Sequence, residues 1–151
     1  MAHVVVIGGG LGGLPTAYEL RHLLPKEHQV TLISDKAQFT FIPGLIRVAL
    51  NLKPLAEIQL DLQTLTEPRG IQYLAGKVIV LDPEQQIITT DRKQQIHYDY
   101  LAISTVASLT FDAIPGLGPH GGYPHSVCTP EHALQARSAW LEFLENPGSV
   151  V

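Results

Sequence analysis

The sequence is nearly without cysteine: Cys128 is the only one in 151 residues. A lone thiol excludes a disulfide framework within the chain and any zinc cluster built on cysteines. Basic residues are scarce as well. Ten Lys and Arg stand against fourteen Asp and Glu, a formal charge of −4, so an electrostatic grip on nucleic acid is not expected. No run approaches the ~18–20 continuous apolar residues that a membrane-spanning helix requires. The start, Met1-Ala-His-Val-Val-Val-Ile7, has no basic segment before its apolar run and no small-residue cleavage site. It reads as a buried strand and not as a signal peptide. Internal repeats and low-complexity tracts are also absent. What is present is a chain of one-domain length, 45% hydrophobic and 16% charged. A chain of that length can bury roughly 68–70% of its unfolded surface, so disorder is excluded.

Hydrophobic periodicity gives a β-α-β opening. Val4–Ile7 is a continuous β-branched run, the pattern of a parallel strand covered on both faces. Leu11–Leu24 reads as a helix with Leu14, Ala17, Leu20, Leu23 and Leu24 on its core face and Pro15 tolerated in its first turn. Val30–Ile33 is the second strand. Phe39, Phe41 and Pro43 fall in a loop, Leu45–Leu50 forms one helical turn, and Ile58–Leu62 alternates like a strand. Leu62–Arg69 predicts a short helix ended by Gly70, and Ile71–Leu74 a further core strand. Lys77–Leu81, Gln86–Thr90 and Gln94–His97 are short strands separated by turn residues, a β-meander. Tyr98–Ser104 continues as a buried strand, and residues 105–126 form a loop without periodicity. Thr129 caps a last helix with Pro130 at its first position and Ala133, Ala136, Trp140 and Leu144 on its core stripe.

Gly8-Gly9-Gly10-Leu11-Gly12-Gly13 satisfies G-x-G-x-x-G at Gly8, Gly10 and Gly13, and it does so between a strand and a helix. That context gives the spacing its chemistry. Gly8 permits the tight turn, Gly10 removes a side chain from the path of a pyrophosphate, and Gly13 lets helix and strand pack closely. The helix N-terminus supplies N–H donors and a partial positive charge. An acid normally ends the second strand to bond a ribose. Here Ser34 stands there, a weaker partner, and Asp35 follows; Asp35 reads equally well as a solvated turn residue. No arginine adjoins it, so a 2′-phosphate is not favoured. A plain NAD domain would continue as strand and helix, whereas this chain inserts a meander. The fold class expected is α/β: a Rossmann-like FAD-binding domain with a parallel sheet and an inserted three-stranded β-meander.

The sequence resembles the flavoprotein disulfide-reductase superfamily with two dinucleotide-binding domains, and within it the N-terminal part of sulfide:quinone oxidoreductases. The resemblance is carried by His3–Pro15, Val30–Ser34, His97–Ile103, Ile114-Pro-Gly116 and Ser126-Val-Cys-Thr-Pro-Glu-His132. It spans essentially the whole chain and about the first third of a family member. It implies an FAD cofactor, with sulfide as electron donor and quinone as acceptor in the full-length protein. It implies catalytic roles for Cys128, as the first of the family's active-site cysteines, and for His132. It implies cofactor contacts at Gly8, Gly10, Leu11, Gly12, Gly13, Ser34, Asp35, Pro43, Val78 and Thr105. Cys128 precedes a helix N-terminus, whose dipole favours a thiolate; a small buried cysteine is the competing reading. His132 in a first helical turn reads equally as a residue that satisfies backbone or water.

Two departures stand out. Ser104-Thr105-Val106 occupies the place of a family Ala-Thr-Gly, and Gly44-Leu-Ile-Arg47 follows Phe41-Ile-Pro43 where further polar and Pro residues are usual. A β-branched residue at 106 is uncomfortable wherever positive φ or close approach is required. The expected domains are residues 1–147, FAD-binding, and residues 148–151, the start of a second dinucleotide-binding domain. On that reading the chain alone binds FAD weakly or not at all and does not turn over. The alternatives are a type II NADH:quinone dehydrogenase, which has no need of Cys128, and a non-catalytic nucleotide-binding remnant. The expected location is cytoplasmic or peripheral at the cytoplasmic face of a membrane, with membrane contact only through regions outside this chain. No metal is expected, because His120, His125, Cys128 and His132 do not follow a zinc spacing.

Overall fold

The structure, a computed structural model, describes residues 1–119 and 121–149. In chain order the elements begin β1 (His3–Ile7), α1 (Gly13–Leu23), β2 (Gln29–Ser34), β3 (Gln38–Thr40) and α2 (Leu45–Ala49). They continue with β4 (Gln59–Asp61), α3 (Leu62–Thr66), β5 (Gln72–Ala75), β6 (Val78–Asp82) and β7 (Ile87–Thr90). The last are β8 (Gln95–His97), β9 (Tyr100–Ile103) and α4 (Pro130–Glu145). Contacts group these into two compact units. The first holds residues 1–39 and 60–106; the second holds residues 40–59 and the segment from Ala107 on.

The first unit is built on a four-stranded parallel sheet in the order β5-β2-β1-β9. Val4 pairs with Val30 on one side and Tyr100 on the other. Alternation explains why Val4–Ile7 of β1 reads as an unbroken apolar run and β2 as a largely apolar one. Val6 and Leu32 face a cluster with Leu14, Ala17, Leu62 and Ile71, on the side of α1 and α3. Val5 and Ile33 face Ile88 and Tyr98, on the side of the meander. Both faces are covered, so the inner positions are apolar apart from Thr31, whose hydroxyl pairs with His3 Nε2 at 2.7 Å. The meander itself is antiparallel, in the order β6-β7-β8. The expected β-α-β opening, core strands and inserted meander are therefore all present.

Other expectations need correction. Strand β9 is an edge strand and not a buried one: Tyr100 is 66% and Ile103 59% exposed, since among the described residues no strand pairs beyond it. Leu23 is 73% exposed although Leu20 and Leu24 on either side pack against the core, so the last turn of α1 directs Leu23 outward. The Arg21 guanidinium closes that end by donating to the carbonyls of Leu24, Pro25 and His28 at 2.6–2.7 Å. Phe39 lies in β3, and Ile42–Gly44 is a 3-10 turn with Pro43 inside it, where a loop was expected. The strand expected over 58–62 shrinks to β4, because Leu55–Ile58 winds as a 3-10 turn and Asp61 turns Leu62 into a helix start.

In the second unit, Leu45, Val48, Ala49 and Ile58 pack with Ala133 of α4. Thr129 caps α4 as expected, its hydroxyl accepting the His132 N–H at 3.2 Å. Leu144 does not join the core: it is 52% exposed on the last turn. Trp140 is half-buried and stacks on Phe143, with ring centroids 5.6 Å apart. The start of a strand expected at residues 149–151 lies, for Val150 and Val151, outside the described residues. Among the described residues no helix is long and apolar enough to cross a membrane.

The cap of α3 carries a pH signature. Asp61 accepts the Thr64 N–H and the Thr64 hydroxyl, both at 2.7 Å. The backbone bond first, and the hydroxyl second, hold its carboxyl below the usual carboxylate value. A folded value below the unfolded one gives stability that is present at neutral pH and drains as pH falls through the folded value. Asp61→Asn keeps a capping acceptor but does not titrate. Its melting temperature is expected to fall less steeply than that of the wild type on acidification below about pH 4. Parallel melting curves for the two proteins across that range would refute the assignment.

Candidate functional site

The carboxyl ends of the parallel strands converge on the glycine loop. The Gly8 N–H donates to the Ile33 carbonyl and the Ser104 N–H to the Ile7 carbonyl, each at 2.8 Å. Gly8 has φ +109°, open to glycine but not to other residues, and a Cβ there would press on the Ser104 carbonyl. A Cβ at Gly13 would strike the Gly8 carbonyl, which is the close helix–strand approach expected of that position. Gly10 differs: nothing lies within 4 Å of where its Cβ would be. The loop is tight where it touches the sheet and open at Gly10, where a ligand phosphate could approach.

Helix α1 begins at this opening. No side chain caps it and no acidic residue lies in its first turn, so its N-terminus keeps its partial positive charge. Leu11 is half exposed beside it. Ser34, at the end of β2, is buried; its Oγ accepts the Lys36 N–H at 3.2 Å and lies 3.0 Å from where a Gly9 Cβ would be. The hydroxyl hydrogen of Ser34 therefore remains for a further acceptor such as a ribose oxygen. Asp35 is exposed in the following turn. Tyr73 braces that turn by donating to the Lys36 carbonyl at 3.0 Å. Burial first, then the Asp61 carboxylate, push the Tyr73 phenol above its ordinary value; Arg92 pulls the other way, and Asp35 adds a smaller push.

Thr105 follows β9 on the same edge of the sheet and is exposed; Val78 packs beside Val5 and Ile33 under the meander. Val106 is 90% exposed and is not among the described non-glycine residues with positive φ, namely Asn51, Gln86 and Lys93. The strain expected of a β-branched residue there does not arise. One residue of this edge escaped the sequence reading. Ser104 packs against Gly8 and Gly12, and only its place one residue past a strand end hinted at that.

Pro43, Cys128 and His132 belong to the second unit. Pro43 is exposed in its 3-10 turn. Cys128 is exposed, which removes the reading of a small buried cysteine. His132 is buried; its Nδ1 lies 3.1 Å from Ser126 Oγ, and the Phe111 ring meets it edge-on at 5.5 Å and 74°. The same Ser126 oxygen accepts the Cys128 N–H at 3.2 Å. Ser126 is the second residue the sequence reading missed, although a serine two positions before a cysteine is a known turn former. No group of three or more His, Cys, Asp or Glu that could hold a metal occurs among the described residues, and His120 lies outside them.

Parallel strands, a glycine loop at their carboxyl edge, an uncapped helix N-terminus and an inserted meander define a Rossmann-like dinucleotide-binding domain. A family model described as pyridine nucleotide-disulphide oxidoreductase matches residues 2–144, and the chain belongs to that family. It is 39% identical over 151 residues, 99% of the chain and 34% of the relative, to the sulfide-quinone reductase of Aquifex aeolicus. It is 26% identical over 149 residues, 97% of the chain and 32% of the relative, to a mitochondrial sulfide:quinone oxidoreductase of Dictyostelium discoideum. Among solved structures it superposes on the sulfide:quinone oxidoreductase of Aquifex aeolicus with a TM-score of 0.87 at 38% identity. That match covers 98% of this chain and 33% of the other. The chain thus spans about a third of the length of the relatives it matches.

Proposed function

We propose that this chain is the FAD-binding portion, residues 1–147, of an oxidoreductase of the sulfide:quinone type. The observation that carries the reading is the loop closed against Ser104 at Gly8 and open at Gly10, set at the uncapped start of α1. That cradle fits a dinucleotide pyrophosphate, with the N–H groups of the first turn of α1 as donors and Gly10 as the point of approach. Ser34 donates its hydroxyl hydrogen toward the adenosine ribose. A flavin held there would supply two-electron redox chemistry. The likeness to sulfide-quinone reductases over nearly the whole chain supports sulfide as donor and quinone as acceptor. Cys128 contributes the exposed sulfur where sulfide chemistry would begin, and His132 the polar ring of the same turn.

The test uses a full-length protein carrying this chain. Cys128→Ser is expected to lower sulfide-dependent quinone reduction by about 100-fold or more, as removal of a covalent nucleophile does. Flavin content should be unchanged. NADH-dependent quinone reduction that persists at full rate in that variant, with no sulfide activity in the wild type, would transfer the assignment to a type II NADH:quinone dehydrogenase.

A further inference from the structure

Ser126 stands between the backbone of Cys128 and the ring of His132. Its Oγ accepts the Cys128 N–H at 3.2 Å and lies 3.1 Å from His132 Nδ1. Both side chains are buried, Ser126 at 8% and His132 at 9% exposure. The Thr129 hydroxyl takes the His132 N–H at 3.2 Å, and Phe111 packs edge-on against the imidazole. The ring therefore has little freedom to turn away from the serine.

A hydroxyl offers one hydrogen and two lone pairs. The Cys128 N–H occupies one lone pair. If a neutral His132 carried its proton on Nδ1, that N–H would fill the other, and the serine hydrogen would need a separate acceptor in a buried place. If Nδ1 is bare, the serine hydrogen goes to it and both the hydroxyl hydrogen and Nδ1 are paired. Buried polar groups are paired, so the second arrangement wins.

We propose that Ser126 is a positioning residue: it holds neutral His132 in the tautomer protonated at Nε2 and ties that ring to the backbone of Cys128. Its consequence for chemistry rests on the reading of Cys128 and His132 as redox-site residues. With the proton on Nε2, Nδ1 is committed to the serine hydroxyl and does not serve as a base.

Imidazole nitrogen–proton correlation spectra of the 151-residue chain, labelled with 15N-histidine, decide the matter. They are recorded above the ordinary imidazole titration range, at about pH 8.5. His132→Gln identifies the signal. The wild type is expected to show the Nε2-protonated form. Ser126→Ala is expected to change the tautomer ratio toward a mixture by roughly fivefold or more, the weight of one hydrogen bond. Ser126→Thr, which keeps the hydroxyl, is expected to restore the wild-type ratio. An Nδ1-protonated wild type, or a folded Ser126→Ala with an unchanged ratio, overturns the proposal. If Ser126→Ala does not fold, the wild-type and Ser126→Thr spectra decide alone. No sulfide, quinone or flavin enters this measurement, so its failure is distinct from failure of the sulfide test.

Discussion

Gly8→Ala is expected to destabilise the first unit by about 2–6 kcal/mol, the sum of two separate penalties of about 1–3 kcal/mol each. One is backbone strain: Gly8 has φ +109°, where a side chain is rarely tolerated. The other is a collision, because the new Cβ would press on the Ser104 carbonyl oxygen and lie 2.8 Å from its carbon. Neither group can retreat cheaply. Gly8 and Ser104 are both held to β1 and β2 by backbone hydrogen bonds of 2.8 Å. Against a total stability of about 5–15 kcal/mol, such a loss removes a large part of the folding margin. Gly10→Ala is the matched control. Its Cβ meets open space, so its stability should stay within about 0.5 kcal/mol of the wild type. Urea midpoints followed by far-UV circular dichroism separate the two, and equal midpoints would contradict the geometry. Gly10→Ala should nevertheless weaken dinucleotide binding, because it fills the one open point of the loop.

Leu62→Ala carries the second large effect, about 2–5 kcal/mol, the range for a leucine truncated in a closed core. Leu62 is fully buried, packs in the cluster of Val6, Leu14 and Leu32, and donates its N–H to the Ala37 carbonyl. It also lies directly under Gly9, so the resulting cavity opens beneath the glycine loop. Leu23→Ala makes the comparison. Leu23 is 73% exposed, and its truncation should cost no more than about 0.5 kcal/mol. A Leu62→Ala midpoint that matches Leu23→Ala would mean that the loop's floor bears none of the unit's stability.

The two leucines show how far the sequence could be read. Both carry the same side chain, and periodicity placed Leu23 on the core face of its helix. Periodicity reports a broad arc around a helix axis; it does not report which residues of that arc the neighbouring elements cover, and here they cover Leu24 and not Leu23. The same limit explains Leu144, on the last turn of α4, and Tyr100 and Ile103, on a strand with no further neighbour among the described residues. Where the pattern is short-range the reading was sound. The strand, glycine loop and helix of residues 3–23, the Thr129 cap and the meander all follow from residues close together in the chain. Ser126 was overlooked for the opposite reason. Its importance depends on a hydrogen bond to a ring six positions on, across the start of a helix, and serine in a turn is too common to stand out.

By itself the sequence determined the β-α-β opening, the glycine fingerprint and the inserted meander, because turn chemistry, capping and side-chain alternation act over a few residues. It also determined, through a single cysteine, that no disulfide within this chain stabilises the fold. Tertiary structure decided which glycines are closed and which is open, since that depends on Ser104 arriving from β9 beside Gly8. It decided that Cys128 is exposed while His132 is buried, although both lie at the start of one helix. Those outcomes rest on contacts between segments distant in sequence, whose geometry is fixed only when the sheet assembles and the helices pack.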